Sequence, residues 1–524
     1  MKRTIKAVSV ATVLLSIAAT GCMDPTVAPK STVTSANVFN DPNSYRAFIA
    51  KIYGGLIVTG QRGPDGNPDI RGIDEGFGEY LRLYWYLQEM PTDEAVIGWN
   101  DPGLPELNRG TWGASNSMVN AMYYRVFYQI VLVNEFLRQS TDAKLAERGQ
   151  NDPVLIANVH FYRAEARFLR ALSYWHGIDL FGNIPLVTEN DPLGSTPPQQ
   201  STRAAIYAYV VSELNAVVGE LPPPGASTYG RATPAAAHML LAKLYLNAGV
   251  YTGTPNYTGA VTEAQAVISA GYVLDTSFAH NFQADNNTSP ELIFVAAQDG
   301  ASTQTWGGMT FLIHAGCGGS MSASTYGIDY CWGGYRMKQQ IYRLFGPGDG
   351  RAAFFWTAGQ TDSVIDVGNF SNGIAAPKFT NKTSGGSNGA QLGMVDTDFP
   401  IFRLADAYLI YTEANLRGGG GSATQALDYF NALRVRAYGD SSAVLTIGQL
   451  TVDTVLAERG RELMFEAQRR TDLVRYGLFS TGTYVWAWKN GVPGGAALAA
   501  GRDLYPLPAN ELIANPNLHQ NPGY

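Results

Sequence analysis

Small and large apolar residues recur three and four positions apart through much of the chain, most clearly over residues 237–270. Leu240, Leu241, Leu244, Tyr245 and Ala248 mark one helix, Gly249 breaks it, and Ala260, Ala264, Val267 and Ile268 mark the next. A helix pair of about 34 residues has the length of a tetratricopeptide unit. Residues 404–437 repeat the idea with Tyr408, Glu413, Ala414, Ala426, Leu427 and Phe430. Small residues let paired helices approach, and large ones fill the groove between them. The spacing between units is irregular. The pattern therefore predicts a mostly α protein, an irregular tetratricopeptide-like array of helix pairs and not a uniform solenoid. Further helices are expected at 42–59, where Tyr45, Phe48, Ile49, Ile52 and Tyr53 share a side, and at 123–137.

Between 272 and 395 the helical period disappears. Gly, Ser, Asn and aromatic residues dominate, with a short strand expected at Leu292-Ile-Phe-Val-Ala296. Residues of about 272–398 therefore read as a loop-rich, non-repetitive insertion packed on a helical scaffold of about 41–271 and 399–479. A C-terminal loop segment, 480–524, completes a single domain over 41–524. The N-terminus has a different character. Lys2-Arg3 and the apolar run after them make residues 1–21 a signal peptide, too short to span a membrane as a mature helix. Ala19-Thr20-Gly21-Cys22 places small residues before a cysteine, as in a bacterial lipoprotein, with Ala19 where Leu is more usual. Cys22 is the expected site of lipid attachment, and 22–40 a flexible tether; the alternative is ordinary cleavage with Cys22 incidental.

Charge is densest over residues 458–477. Leu456, Leu463, Ala467 and Val474 fall at helical spacing, and Gly477 supplies a stop, so one helix is expected here. Glu466 precedes Arg469 and Arg470 by three and four residues, and Asp472 precedes Arg475 by three. Exposed pairs of this kind contribute only about 0.2–0.5 kcal/mol each. Partly buried Arg–carboxylate forks that tie several neighbours together explain so many charges better. The stretch also resembles the C-terminal signature of the SusD/RagB family, roughly E-R-x-x-E-L-x-F-E-G-x-R-W-x-D-L-x-R-x-G. Glu458, Arg459, Glu462, Leu463, Phe465, Glu466, Arg469, Asp472, Leu473, Arg475 and Gly477 are in register. Ala467 stands where Gly is usual and Arg470 where an aromatic is usual. Glu165, Arg167, Arg170, Gly182 and Pro185 fit a second family signature, and residues 399–406 and 505–524 also resemble the family. The resemblance implies a SusD-like α/α superhelix, lipid-anchored at the outer-membrane surface, that binds a nutrient without catalysis and lids a SusC-like TonB-dependent transporter.

Composition narrows the chemistry. The formal charge is −7 with no basic cluster, which argues against nucleic acid as a partner. Charged residues make up only 15%, against the roughly 25% of an average domain, while aromatics reach 11% and glycines number 57. Helices carrying long, ring-displaying loops fit that balance. The six histidines are scattered without a His-x-x-x-His pair, so no metal site and no cofactor are expected. Gly385-Gly-Ser-Asn-Gly389 matches a nucleophile elbow only on paper, since no strand and helix flank it. Gly418 to Gly421 lacks the Lys-Ser/Thr of a phosphate loop and reads as a turn between paired helices. Asp93-Glu94 could suggest the acid pair of a glycosidase, but adjacent acids at a helix–loop junction are more often structural.

Trp99, Trp306, Tyr326, Trp332 and Tyr335 lie outside any helical stripe, in loops rich in Gly, Ser and Asn. A ring presented by a loop can stack on a sugar while Asn100 and Asp101 take hydroxyl hydrogen bonds; the alternative is that each ring anchors its own loop. These seven residues form the expected ligand site. With Cys22 lipidated, Cys317 and Cys331 remain as an even pair in an oxidising location, and a disulfide between them is expected. A glycan is the ligand the resemblance implies most readily, with peptide open; a surface glycosidase and a protein-interaction scaffold are the competing functions.

Overall fold

Where the sequence places an apolar stripe behind a capping side chain, the computed structural model has a helix. It describes residues 38–524 apart from 62, 65–67, 193 and 195. Cys22 and the expected signal peptide and most of the tether lie outside the described residues. Tyr45–Tyr524 forms one compact unit and holds both predicted helix pairs.

Helix α1 (Asn43–Gly54) leads into it, succeeded by α2 (Tyr80–Glu89), α3 (Ser117–Gln139), α4 (Pro153–Phe181) and α5 (Arg203–Val217). Asn116, Asp152 and Thr202 cap α3, α4 and α5 by accepting backbone N–H bonds, each worth about 1 kcal/mol. Helices α6 (Pro234–Leu246) and α7 (Tyr257–Ile268) form the first predicted repeat. A Cβ on Gly259 would sit 2.8 Å from the Tyr245 ring, so glycine is what lets this pair close. The chain between them does not break at Gly249, which lies inside a short helix Ala248–Thr252; the turn comes at Gly253, with φ 79°. The second repeat is α9 (Leu404–Leu416) and α10 (Ala423–Tyr438), joined by the glycine turn, and α7 packs directly on α9. Ala405, Leu409, Phe430, Leu433, Val455 and Leu463 form part of the core that results. Helix α8 (Gly308–Gly316) lies between the repeats in sequence, where no helical period is visible. All nine of its residues are buried, so it has no polar face to create one.

Strands are few. β1 (Ala95–Ile97) pairs antiparallel with β5 (Tyr335–Met337), after the short pair β2 (Ile184–Pro185) and β3 (Gln200–Ser201). β4 (Leu292–Ala296), the predicted strand, pairs antiparallel with β6 (Phe399–Arg403). The non-repetitive region therefore leaves and rejoins the helices near one ladder.

The charged stretch is two helices, α11 (Val452–Glu462) and α12 (Arg469–Arg475), and not the single helix expected. Between them Phe465 and Ala467 adopt φ of 63° and 58°. Tertiary bonds replace the helical ladder here: the Phe465 N–H donates to Glu94 at 2.8 Å and the Gln468 N–H to Glu89 at 3.0 Å, while Trp85 Nε1 donates to the Phe465 carbonyl. The break moves Glu466 off the face of Arg469 and Arg470. Glu466 pairs with Lys378 and Arg403, Arg469 with Asp93, and Arg470 with Asp179. The forks are fully buried: Arg351 holds Asp349, Glu458 and Glu462, and Arg403 holds Glu291, Glu462 and Glu466, at 2.7–2.9 Å. Gly477, with φ 67°, ends α12 as expected. Leu478 and Gly477 donate to the Leu473 and Val474 carbonyls in a Schellman motif.

Candidate functional site

The β1–β5 ladder sets the first two rings. Its last pair is Ile97 with Tyr335, so the strands part at one end, and Trp99 leaves beside the incoming Trp332. Their ring centroids are 6.4 Å apart, and Trp306 lies 6.1 Å from Trp332. Gly334 makes this possible, since a Cβ there would come within 2.7 Å of the Trp99 ring.

Each ring is braced from below. The Trp332 N–H donates to the His314 carbonyl at the end of α8, and Gly333 and Gly334 donate to Cys317 and Ala315. The Cys317–Cys331 disulfide closes the same edge, with Cα atoms 4.9 Å apart. The His314 ring lies 4.8 Å from Trp332, and its Nδ1 is 2.9 Å from the Tyr330 carbonyl oxygen. Burial lowers the His314 pKa, so this support is a neutral imidazole at physiological pH. Phe311 of α8 packs edge-on beneath Trp99. Arg82 of α2 spans the cluster: its guanidinium lies over Phe311 and Trp99, and its Nη1 donates to the Trp306 carbonyl at 2.8 Å. Glu79 in turn caps α2 and accepts the Gly308 N–H at 2.7 Å, joining the starts of α2 and α8. Burial pushes the Glu79 carboxyl up to about 7 against the pull of these N–H bonds.

Trp99, Trp306 and Trp332 are half-buried. Asn100 is exposed and Asp101 half-buried beside Trp99, and neither side chain is hydrogen-bonded among the described residues. The structure thus brings five of the seven expected residues together. Tyr335 belongs to the core instead: it is 0% exposed, its hydroxyl donates to the Leu312 carbonyl, and its ring packs on Trp85 and Phe465. As a residue of β5 it points inward, which the surrounding glycines conceal in the sequence. Tyr326 lines a separate cleft. Two contributors were missed. Tyr330 is 51% exposed beside Trp332 and could have been found from its place next to Cys331-Trp332. Arg82 sits in a helix buried on every side and gives no such signal.

Chemically the arrangement offers flat apolar faces rimmed by an amide and a carboxylate. Asp93 and Glu94, the other candidate acids, are 0% and 1% exposed. Asp93 is forked by Arg469 and bonded by Tyr484, and Glu94 holds the Phe465 N–H. Among the described residues no cluster of three or more His, Cys, Asp or Glu could hold a metal ion.

Comparison with known proteins bears on the whole chain. A family model described as the SusD family matches residues 350–524. The starch-binding protein SusD of Bacteroides thetaiotaomicron is 32% identical, over 91% of each chain. SusD-like protein P2 of Formosa agariphila is 27% identical over 80% of this chain and 83% of its own. Among solved structures, surface glycan-binding protein A from Bacteroides thetaiotaomicron superposes with a TM-score of 0.71 at 20% identity, covering 93% of this chain and 100% of that one. The same protein in complex with laminarihexaose gives 0.70, also at 20% identity, over 91% and 98%. With the helical fold shared and the first of these relatives matching along almost all of both chains, the chain belongs to the SusD family.

Proposed function

We propose that this protein binds an oligosaccharide on the face formed by Trp99, Trp306 and Trp332 and delivers it, without cleaving it, to a TonB-dependent transporter at the outer membrane, to which Cys22 would tether it by lipid. The observation that carries the reading is the cluster of three half-buried indoles, braced by α2 and α8, with the Asn100 and Asp101 side chains unspent beside it. Similarity to a starch-binding relative supports the ligand class. Burial of Asp93 and Glu94 supports binding over hydrolysis, because a glycosidase needs two carboxyls facing the scissile bond. Peptide-binding and scaffold functions have no corresponding feature.

Calorimetric titration with maltoheptaose and laminarihexaose tests it. An affinity of about −4 to −8 kcal/mol is expected, since the transporter would close the other side of the ligand. Trp99→Ala and Trp332→Ala should each weaken binding at least tenfold while the thermal melt stays intact. Unchanged binding in both variants, or release of shorter sugars on incubation, would sink the proposal.

A further inference from the structure

Tyr326 is excluded from the tryptophan site, yet it is not a loop anchor. It forms one wall of a second cleft of about 470 Å³, within the range of small-molecule sites. Phe355, Trp356, Gln283 and Lys382 also line it. We propose that this cleft is a second oligosaccharide-binding site, with Tyr326 and Trp356 as the stacking platforms.

Three observations support it. First, Tyr326 and Trp356 are half-buried rings that stack on no other ring, and their hydroxyl and indole N–H meet no hydrogen-bond partner among the described residues. Phe355, in contrast, already packs against the rings of Tyr342 and Phe345. Second, the walls are built. The Tyr326 carbonyl accepts the Asn381 N–H at 2.9 Å and the Thr380 hydroxyl at 3.2 Å, Trp356 N–H donates to Ala375, and Ala284 N–H donates to the Lys382 carbonyl. Third, the polar groups suit hydroxyls. Gln283 and Lys382 have no side-chain partner among the described residues, Lys378 is already paired with Glu466, and no carboxylate lines the cleft. Open apolar faces next to an amide and an ammonium that can bond hydroxyls are what a pyranose ring needs, whereas a basic peptide would find no counter-charge.

The two sites are linked. Tyr326 lies inside the loop closed by Cys317–Cys331, and Trp332 comes directly after that disulfide, so one stapled segment serves both. A glycan chain long enough to reach both would bind with an effective-concentration gain, on the order of 10²–10⁴ at most.

This inference rests on the oligosaccharide reading above, and the test separates the two. Wild type, Trp99→Ala/Trp332→Ala, Tyr326→Ala/Trp356→Ala and the fourfold variant would be titrated with maltoheptaose and laminarihexaose in a calorimeter, with thermal melts as the fold control. Two sites per molecule are expected in wild type, one in each double variant and none in the fourfold variant. Lys382→Ala, which breaks no side-chain hydrogen bond or ion pair among the described residues, should weaken the second site alone by several fold. One site per molecule that survives Tyr326→Ala/Trp356→Ala unchanged would overturn the second cleft and leave the first standing. No sugar bound by wild type would overturn both.

Discussion

Ala467 holds a left-handed backbone, φ 58°, at the position where the SusD/RagB pattern has glycine. An L-residue with a Cβ is strained there by about 1–2 kcal/mol, partly offset by the smaller unfolded-state entropy of alanine. Ala467→Gly is therefore expected to raise stability by roughly 0.5–1 kcal/mol, read as a higher denaturant midpoint; a lower midpoint would show that burial of the methyl group outweighs the strain. Two residues on, Arg469 forks Asp93 at 2.7–2.8 Å with both groups buried. Asp93 is held below the usual carboxylate range against its burial, chiefly by that guanidinium. Arg469→Ala leaves the carboxylate with Tyr484 alone and should cost about 3–5 kcal/mol. Sugar affinity, measured below the new melting point, should be unchanged, because Arg469 braces the scaffold and does not line the tryptophan face.

At the scale of elements, the turn between α11 and α12 depends on a carboxyl pair from the end of α2. Burial raises Glu89 to about 7, and burial together with the neighbouring Glu89 carboxylate raises Glu94 well above its ordinary value. A carboxyl whose folded pKa lies above its unfolded value adds stability below about pH 4.5 and loses it as pH rises through the folded pKa. Glu94→Gln keeps an acceptor for the Phe465 N–H and supplies an amide donor in place of the shared proton. It should stabilise the protein by about 1–3 kcal/mol at pH 8 and by little at pH 4.5. Equal effects at the two pH values, in denaturant titrations, would show that the pair is not protonated as inferred. The same logic of tertiary bonds replacing local ones explains why residues 458–477 read as one helix and fold as two. Spacing reveals propensity, but Glu89, Glu94 and Trp85 bid for the backbone from far away in the chain.

For the whole molecule, the buried forks decide the response to acid. Arg351 and Arg461 hold Glu458 down to about 2, and Glu462, Asp406, Asp472 and Glu413 are also depressed by buried arginines or, first for Asp406, by Lys243. Each contributes stability that is complete above the unfolded pKa and is lost as pH falls from about 4.5 toward 2, on the order of a few kcal/mol per group. A steep, multi-proton fall of the unfolding midpoint is expected in that window; a gradual one-proton decline would mean the forks titrate independently of folding. Apolar spacing determined the helix pairs, because the same faces that recur at 3.6 residues must be buried wherever they meet. Cysteine count, strand composition at Leu292–Ala296 and the glycine turn before α10 were likewise legible, being local. The site was legible only as a set of candidates. Trp99 and Trp332 lie far apart in sequence, and only the β1–β5 register puts them side by side; that same register turns Tyr335 into the core. Which loop ring faces solvent depends on the residues that pack behind it, and those come from α2 and α8, so tertiary structure alone could separate Trp332 from Tyr335 and give Tyr326 a cleft of its own.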